Sequence, residues 1–347
     1  MLKRIIPVSA ILIISLNMTF CGTATKSTFP QKSNWVEFAP NSYKSIPAGY
    51  QTESFKEITF EEKYIKVAMY ATQFSRGNAL YIEIIEKEPS IRISDLQMSS
   101  SGKTILLHHT NRVYRGFTGI DLNYTGQKIV YNIMLKAENE WYHHSYNLDL
   151  EKKHYLTSNT PLDLSASLNQ TQLSRKEIEM KISQSSRKKE EALNVYHKSL
   201  IGNKIAFPVN SNVITSPFGA SRVYHRYTFE GEKKKKLKPS VSVHKGTDFR
   251  ARRGDAIYSI AEGKVVLADE LYFEGNCIII DHGNRVFSSY FHLSKLLVKK
   301  GKIIKAGEVI GLAGDTGVST APHLHLSVHI DSTLVDPLSF ISLPVKE

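Results

Sequence analysis

Cysteine is scarce in this sequence, which contains only Cys21 and Cys277 among 347 residues. Without a cysteine pair, the thiolate sets that close most structural zinc sites are excluded. Cys277 is followed by three isoleucines, and this apolar run predicts that Cys277 lies buried in a strand. If Cys21 carries a lipid, no disulfide can form within the chain, and an exported protein does not require one.

The sequence has one long apolar run, residues 5–20, which follows the basic pair Lys3-Arg4 at the N-terminus. No run of comparable length occurs in the rest of the chain. The N-terminal run is shorter than the roughly 20 residues of a membrane-spanning helix, and polar sequence follows it at once. We therefore expect residues 1–21 to be an export signal that directs the protein to the periplasm or cell envelope. Cys21-Gly22 is a candidate lipoprotein junction, although the preceding Phe20 is bulky where a small residue is usual. An ordinary signal is the alternative to a lipid anchor at Cys21.

Acidic residues are the minority among the charged ones, with 33 Asp and Glu against 45 Lys and Arg, a net charge of +12. A nucleic-acid partner is not expected, because the basic residues are dispersed and an exported chain rarely meets nucleic acid. An anionic cell envelope is the more natural counter-charge. The one concentrated run, Lys233 to Lys236, lies in an apparent inserted loop at 224–242. A lysine run is usually a solvated face, and a substrate contact is the alternative.

Helical periodicity is absent from residues 34–165. Turn residues separate short runs of strand type, which predicts a β-sandwich-like N-terminal domain. The clearest strand-type runs are residues 64–70, 79–85 and 128–135. His108-His109 and His143-His144 are adjacent on predicted strands, so the members of each pair point to opposite faces. We interpret these four histidines as ordinary surface or core residues.

The pattern changes to a charge-rich helix over residues 174–200, with Ser174 and Glu177 as a candidate capping box. A connecting helix that leans on one domain is the simpler interpretation, and a partner helix or coiled coil is the alternative. Residues 201–347 are again β in character, with glycine turns between short strands. The whole chain is therefore predicted to be mainly β, with a helical connector before a compact antiparallel C-terminal domain that has a groove.

The most informative motif is His323-Leu324-His325. Residues two apart on a strand project from the same face, so both imidazoles can enter one site. Upstream, His244 and Asp248 are separated by three residues, and His292 lies in an aromatic run. These residues supply two histidines and one carboxylate for a divalent metal, with two imidazoles left for proton transfer. Three N or O ligands with one open position are typical of a catalytic zinc.

Four ordered sequence blocks resemble the lysostaphin-type (LytM-type) peptidoglycan metalloendopeptidases. The blocks are Ile214-Thr215-Ser216-Pro217-Phe218-Gly219, His244-Lys245-Gly246-Thr247-Asp248, Tyr290-Phe291-His292-Leu293, and Gly317 to His325 with Val335-Asp336-Pro337 behind it. The resemblance implies a LytM-type β domain with a zinc groove, one Zn²⁺ per chain and peptidoglycan as the substrate. By the same resemblance His244, Asp248 and His325 are the metal ligands, and His292 and His323 are catalytic.

The sequence departs from the family pattern at three positions. Ala321 replaces a usual glycine, and Leu326-Ser327 replace a common aromatic residue and glutamate. None of these is a ligand position. A cut at a D-alanyl-diaminopimelate link is favoured over polyglycine, because a lipoprotein-like start suits a diderm envelope.

Two alternatives from other functional classes remain open. LytM-type domains also occur as non-catalytic regulators of wall hydrolases that have lost metal ligands, whereas this chain retains all five site residues. The run 298–308 suggests a lipoyl-type binding module, but it lacks the attachment site that such a module needs. Metal content separates the enzyme from both, since the enzyme alone should carry about one zinc per chain.

Overall fold

The computed structural model describes residues 55–162, 175–198, 204–224, 227–230, 233–236 and 240–345. The predicted signal, Cys21 and Ser174 lie outside these residues. Over the described ranges, no helix combines the length and apolar character needed to cross a membrane. The described residues all fall within one unit, Trp35–Glu347.

Two antiparallel sheets form the N-terminal half. Their orders are β1-β2-β3-β7-β6 and β5-β4-β8-β9. Residues alternate between buried and exposed along β8, which is the period of a strand with one face on a core. Buried residues of both sheets, among them Ile82 and Ile133, belong to a single hydrophobic cluster, as expected for a sandwich. The strands up to residue 162 are β1 Lys56–Glu61, β2 Ile65–Ala71, β3 Ala79–Glu86, β4 Ile93–Ser100, β5 Lys103–Ile105, β6 Leu107–Thr110, β7 Val113–Gly119, β8 Lys128–Ala137, β9 Glu140–Asp149 and β10 Thr157–Leu162.

One long helix, α1 (Arg175–Leu193), follows the N-terminal sheets. Ala192 is buried near its end, and Leu193 and Val195 pack beside it against a cluster that includes Cys277 and Phe287. The end of the helix therefore packs on the C-terminal sheet. The helix ends at Leu193, earlier than predicted, and residues 194–198 are not helical. Asn194 and Val195 are poor helix formers, and Val195 packs on the sheet instead.

The C-terminal half is built on an eight-stranded antiparallel sheet of order β11-β16-β24-β20-β19-β18-β22, with β25 paired to β24. A small sheet, β17-β23-β21, and a short helix, α2 (Pro337–Ile341), complete it. The strands are β11 Ile214–Ser216, β12 Ser221–Tyr224, β13 Tyr227–Glu230, β14 Lys233–Lys236, β15 Ser240–Val243, β16 Thr247–Arg250, β17 Ala256–Tyr258, β18 Gly263–Leu271, β19 Gly275–Asp281, β20 Val286–Leu293, β21 Lys295–Leu296, β22 Ile303–Ile304, β23 Val309–Leu312, β24 His323–Ile330 and β25 Thr333–Val335. Cys277 is fully buried on β19, as predicted.

The segment expected to be an inserted loop contains strands. β13 pairs antiparallel with β14, so the lysine run forms one arm of a hairpin. β12 and β15 pair on either side of it, and β10 joins β12 in parallel. The prediction of a loop was wrong, because Tyr227-Thr228-Phe229 has the aromatic and β-branched residues that favour strands.

The two halves share contacts around α2. The Ala79 backbone N–H donates to Ser339 Oγ at 2.9 Å, and the Phe117 and Phe340 rings lie 5.6 Å apart. Asp336 caps α2 by accepting a hydrogen bond from the Leu338 N–H at 3.1 Å, with Pro337 at the first helical position. The Val335-Asp336-Pro337 block thus has a structural role: it starts the helix that joins the halves.

Candidate metal centre

Three neighbouring strands bring the predicted site residues together. Asp248 on β16 lies directly opposite His325 on β24, and His325 lies opposite Phe291 on β20. His323 is two residues before His325 on the same face, and His292 follows Phe291 near the end of β20. His244 stands just before β16. The strand register therefore gathers residues from distant parts of the chain.

His244, Asp248 and His325 converge on one point. Their ligand atoms all lie within 4.8 Å of one another. Asp248 Oδ1 is 2.8 Å from His325 Nδ1 and 3.0 Å from His244 Nε2. The two imidazole nitrogens are 3.1 Å apart.

Backbone and hydroxyl groups fix the tautomers of both imidazoles. His244 Nδ1 donates to the Pro217 carbonyl at 3.0 Å, which leaves Nε2 as the nitrogen that faces the centre. His325 Nε2 donates to Ser327 Oγ at 3.0 Å, and Ser327 Oγ donates in turn to the Lys245 carbonyl at 3.0 Å. His325 therefore presents the lone pair of Nδ1. These assignments follow from the hydrogen-bond partners.

Two lone pairs and a carboxylate oxygen thus face each other with no proton between them. Three acceptors at this spacing repel one another unless a cation lies between them. Burial raises the pKa of the Asp248 carboxyl, but a positive charge facing it, which the imidazoles supply when protonated and a bound cation would supply otherwise, holds this pKa well below its usual range. Burial lowers the pKa of His325, which keeps that ring neutral. The donor set suits a divalent metal ion.

The backbone at Gly246 passes close to the His325 ring. A Cβ at Gly246 would lie 2.5 Å from His325 Nε2 and 2.4 Å from the Leu326 carbonyl, so glycine is required there. The Phe291 ring also stacks on His325, with centroids 5.2 Å apart and an interplanar angle of 2°. These two contacts restrict the His325 ring to one orientation.

His292 and His323 form a second pair beside the first three residues, with ring centroids 4.9 Å apart. His292 Nδ1 donates to the Thr316 carbonyl at 2.9 Å, and His323 Nδ1 donates to the Ala321 carbonyl at 2.8 Å. Both rings therefore keep a lone pair on Nε2. Burial, with the adjacent His323, lowers the pKa of His292 to about 4, so this imidazole is neutral at pH 7. Ala321 does not adopt a positive φ, so alanine fits where the family usually has glycine.

The remaining histidines of interest have other surroundings. His282 is fully buried, with Nδ1 2.7 Å from the Glu262 carbonyl and Nε2 2.7 Å from Ser288 Oγ. His109 lies 3.2 Å from Glu86, and His144 lies 3.1 Å from Glu62. Within the described ranges, the three-residue group named above is the only cluster with metal-binding spacing.

Sequence reasoning did not assign roles to Ser327, Thr316 and Glu274. Ser327 is two residues after His325, so the same-face rule that linked the histidines also predicts its contact with His325. Thr316 and Glu274 come from turns, where no periodicity indicates direction. The Glu274 carbonyl accepts a hydrogen bond from the His292 N–H at 2.8 Å.

Residues 242–337 match the model of peptidase family M23. The matched range contains all five predicted site residues, and this part of the chain is an M23 (LytM-type) domain. The resemblance found in the sequence is thereby confirmed.

Two curated proteins of Vibrio cholerae are among the relatives. The peptidoglycan DD-endopeptidase ShyB is 36% identical over 132 residues, which cover 38% of this chain and 31% of ShyB. The peptidoglycan DD-endopeptidase ShyA is 41% identical over 112 residues, which cover 31% of this chain and 26% of ShyA. The chain thus spans less than a third of the length of either relative.

A solved structure from Pseudomonas aeruginosa, assigned to peptidase M23, aligns over 78% of this chain and 96% of its own length. The TM-score is 0.54 and the sequence identity is 22%. At this identity the alignment establishes a shared fold, which extends well beyond the range matched by the family model.

Proposed function

We propose that this protein is a zinc-dependent endopeptidase that hydrolyses peptide bonds in the stems or crosslinks of peptidoglycan. The observation that carries the proposal is the convergence of His244 Nε2, His325 Nδ1 and Asp248 Oδ1, with no proton between them, beside two further neutral imidazoles. Bonds of 2.0–2.1 Å in a tetrahedral zinc site place ligand atoms roughly 3.3 Å apart. The observed separations of 2.8, 3.0 and 3.1 Å fit this geometry after a small expansion.

A zinc ion held by these residues would act as a Lewis acid and lower the pKa of a bound water to about 7. Two neutral imidazoles and one carboxylate leave the ion a net positive charge. The set uses three protein ligands, which leaves a position for the reacting groups, as catalytic sites require.

His292 and His323 would both begin the reaction as proton acceptors, because each ring donates through Nδ1 and keeps a lone pair on Nε2. Burial, together with a positive charge on His323 at a centroid distance of 4.9 Å, lowers the pKa of His292 and disfavours its protonation. His292 is buried, whereas His323 is only partly buried. A positive charge costs less desolvation free energy on His323, the less buried ring. We therefore assign His323 as the base that takes the proton of the attacking water and returns it to the leaving amine.

His292 then orients the same water by accepting its other hydrogen while remaining neutral. Its pKa of about 4 suits this role, since the ring stays unprotonated over the whole neutral range. General acid–base catalysis of this kind contributes about 10²–10⁴-fold to a rate.

The substrate assignment draws on the relatives. ShyA and ShyB are named peptidoglycan DD-endopeptidases, which supports a D,D-crosslink such as D-alanyl-diaminopimelate as the bond that is cut. A net charge of +12 suits an anionic wall. The proposed location is the periplasm or cell envelope, with Cys21 as the candidate lipid anchor. We propose that residues 34–165 form the N-terminal domain, residues 174–200 the connecting helix and residues 201–347 the catalytic domain.

Digestion of purified sacculi tests the proposed function. The full chain should release soluble fragments whose new amino termini, identified by mass spectrometry, lie at the crosslink. His323→Ala should leave the sacculi intact, and His108→Ala, which changes an exposed histidine of β6, should digest them normally. Intact sacculi and unchanged termini with the parent chain would favour the alternative, a non-catalytic regulator of other wall hydrolases.

A further inference from the structure

Helix α1 lies outside the range matched by family M23, yet it contacts the turn that holds His292. We propose that Lys189 of α1 is a positioning residue for His292, acting through Glu274. This inference rests on the proposed function, because it assigns Lys189 a part in the same reaction.

The turn between β18 and β19 is held by α1 on one side. Ser185 Oγ accepts a hydrogen bond from the Tyr272 N–H at 2.9 Å. One helical turn further along, Lys189 Nζ forms an ion pair with Glu274 Oε1. Ser185 and Lys189 are four residues apart and so lie on the same face of the helix.

The other side of the turn is held by the site. The Glu274 carbonyl accepts a hydrogen bond from the His292 N–H at 2.8 Å, and the Phe273 carbonyl accepts one from the Val318 N–H at 2.9 Å. The same residue, Glu274, therefore joins Lys189 through its carboxylate and His292 through its backbone.

The turn also supports the residue that fixes the His292 ring. Gly275 lies so close to Thr316 that an added Cβ would be 2.3 Å from the Thr316 carbonyl carbon. Asn276 N–H donates to Thr316 Oγ1 at 2.9 Å. Because the Thr316 carbonyl accepts a hydrogen bond from His292 Nδ1–H, a displaced turn would disturb both this bond and the one from the His292 backbone N–H to Glu274.

The backbone conformation of His292 is one that needs support from these hydrogen bonds. Its φ is +63°, a left-handed conformation that residues with a Cβ adopt only where the surroundings hold it. Release of the Glu274 carbonyl would allow the backbone to relax and the imidazole to turn away. Catalytic efficiency is sensitive to such shifts, since a misplacement of about 1 Å can cost about 10²-fold in rate.

Lys189 matters because Glu274 is buried. The Glu274 side chain is 11% exposed, so its charge is poorly solvated and needs a counter-charge. Without Lys189 the carboxylate would turn towards water and carry its own backbone with it. The adjacent Lys188 offers a matched comparison: it pairs with Asp269 at 2.6 Å, but both side chains are more than two-fifths exposed. Exposed pairs of this kind contribute little.

The test uses the full zinc-loaded chain and a soluble crosslinked muropeptide dimer. Lys189→Met should lower kcat by about tenfold or more with little change in KM or zinc content. Lys189→Arg should restore most of kcat, and Lys188→Met should match the parent. Adding Glu274→Gln to Lys189→Met should recover part of the loss, because a neutral amide is cheaper to leave without a counter-charge than a carboxylate.

A second readout does not depend on turnover. The imidazole NMR signals of His292, assigned with His292→Gln, should shift in Lys189→Met and remain in place in Lys188→Met. A parent chain that fails to cut the dimer would contradict the proposed function, while these signals would still test the positioning. Equal kcat and unchanged His292 signals in Lys189→Met would overturn the inference. So would a loss of activity accompanied by loss of zinc, which would indicate a general structural defect.

Discussion

Ser327 Oγ accepts a hydrogen bond from His325 Nε2 at 3.0 Å and donates one to the Lys245 carbonyl at 3.0 Å. This short chain fixes the tautomer that presents Nδ1 to Asp248. It also links the strand that carries His325, one proposed ligand, to the segment that carries the other two, His244 and Asp248. This chain has serine where glutamate is common in LytM-type domains, and the serine hydroxyl accepts the hydrogen bond of the His325 ring.

Ser327→Ala should weaken zinc binding about 10–100-fold, the range found when the partner of a ligating histidine is removed. Competition with a chromogenic chelator measures the affinity directly. Ser289→Ala is the matched control: Ser289 lies opposite Ser327 in the strand register and is also buried, but no group within the described ranges is hydrogen-bonded to its Oγ. Equal affinities for the two variants would show that the hydroxyl of Ser327 has no such role.

His292→Ala and His323→Ala should retain close to one zinc per chain and lose turnover by about 10²-fold or more, because each removes a proton acceptor rather than a ligand. Zinc content by atomic emission and initial rates on the muropeptide dimer check the two halves of this prediction. Rates within a factor of two of the parent would remove either residue from the catalytic step.

The buried His282 should make folding stability depend on pH. Burial, opposed by the hydrogen bond to Glu262, lowers the pKa of His282 from 6.5 to about 4. Above pH 6.5 neither the folded nor the unfolded state binds a proton at His282, so protonation of this residue takes nothing from the free energy of unfolding. Between about 6.5 and 4 only the unfolded state binds one, so stability falls as the pH falls, by about 3 kcal/mol in total.

Urea denaturation of the parent and His282→Gln at about pH 7.5 and about pH 5 measures this contribution. The loss of stability on acidification should be smaller in the variant by about 2 kcal/mol. The metal centre is the same in both proteins, so its own pH dependence cancels in the comparison. An identical loss in the two proteins would mean that His282 already titrates normally in the folded state.

Much of the site could be predicted from the sequence, because its signals are local. The alternation of a strand places His323 and His325 on one face, and the structure has both on β24. Strand-type runs around residues 64–70, 79–85 and 128–135 correspond to β2, β3 and β8. These features depend on neighbours in the chain, so a single sequence contains the information.

Other features depend on contacts between distant residues. The pairing of Asp248 with His325 is a matter of strand register, which the packing of the whole sheet decides. The end of α1 at Leu193 reflects the docking of Val195 on the sheet, and the link from Lys189 to His292 passes through a turn. The hairpin β13–β14 was missed because its charged arm lacks the apolar alternation of a half-buried strand.

Zinc content of the Asp248→Ala variant tests the central claim most directly. The parent chain, purified without added metal and analysed by atomic emission, should contain about one zinc per chain. Asp248→Ala should lose most of that zinc together with sacculus lysis, whereas Asp269→Ala, which removes an exposed carboxylate paired with Lys188, should retain both. A full complement of zinc in Asp248→Ala, or none in the parent, would contradict the account.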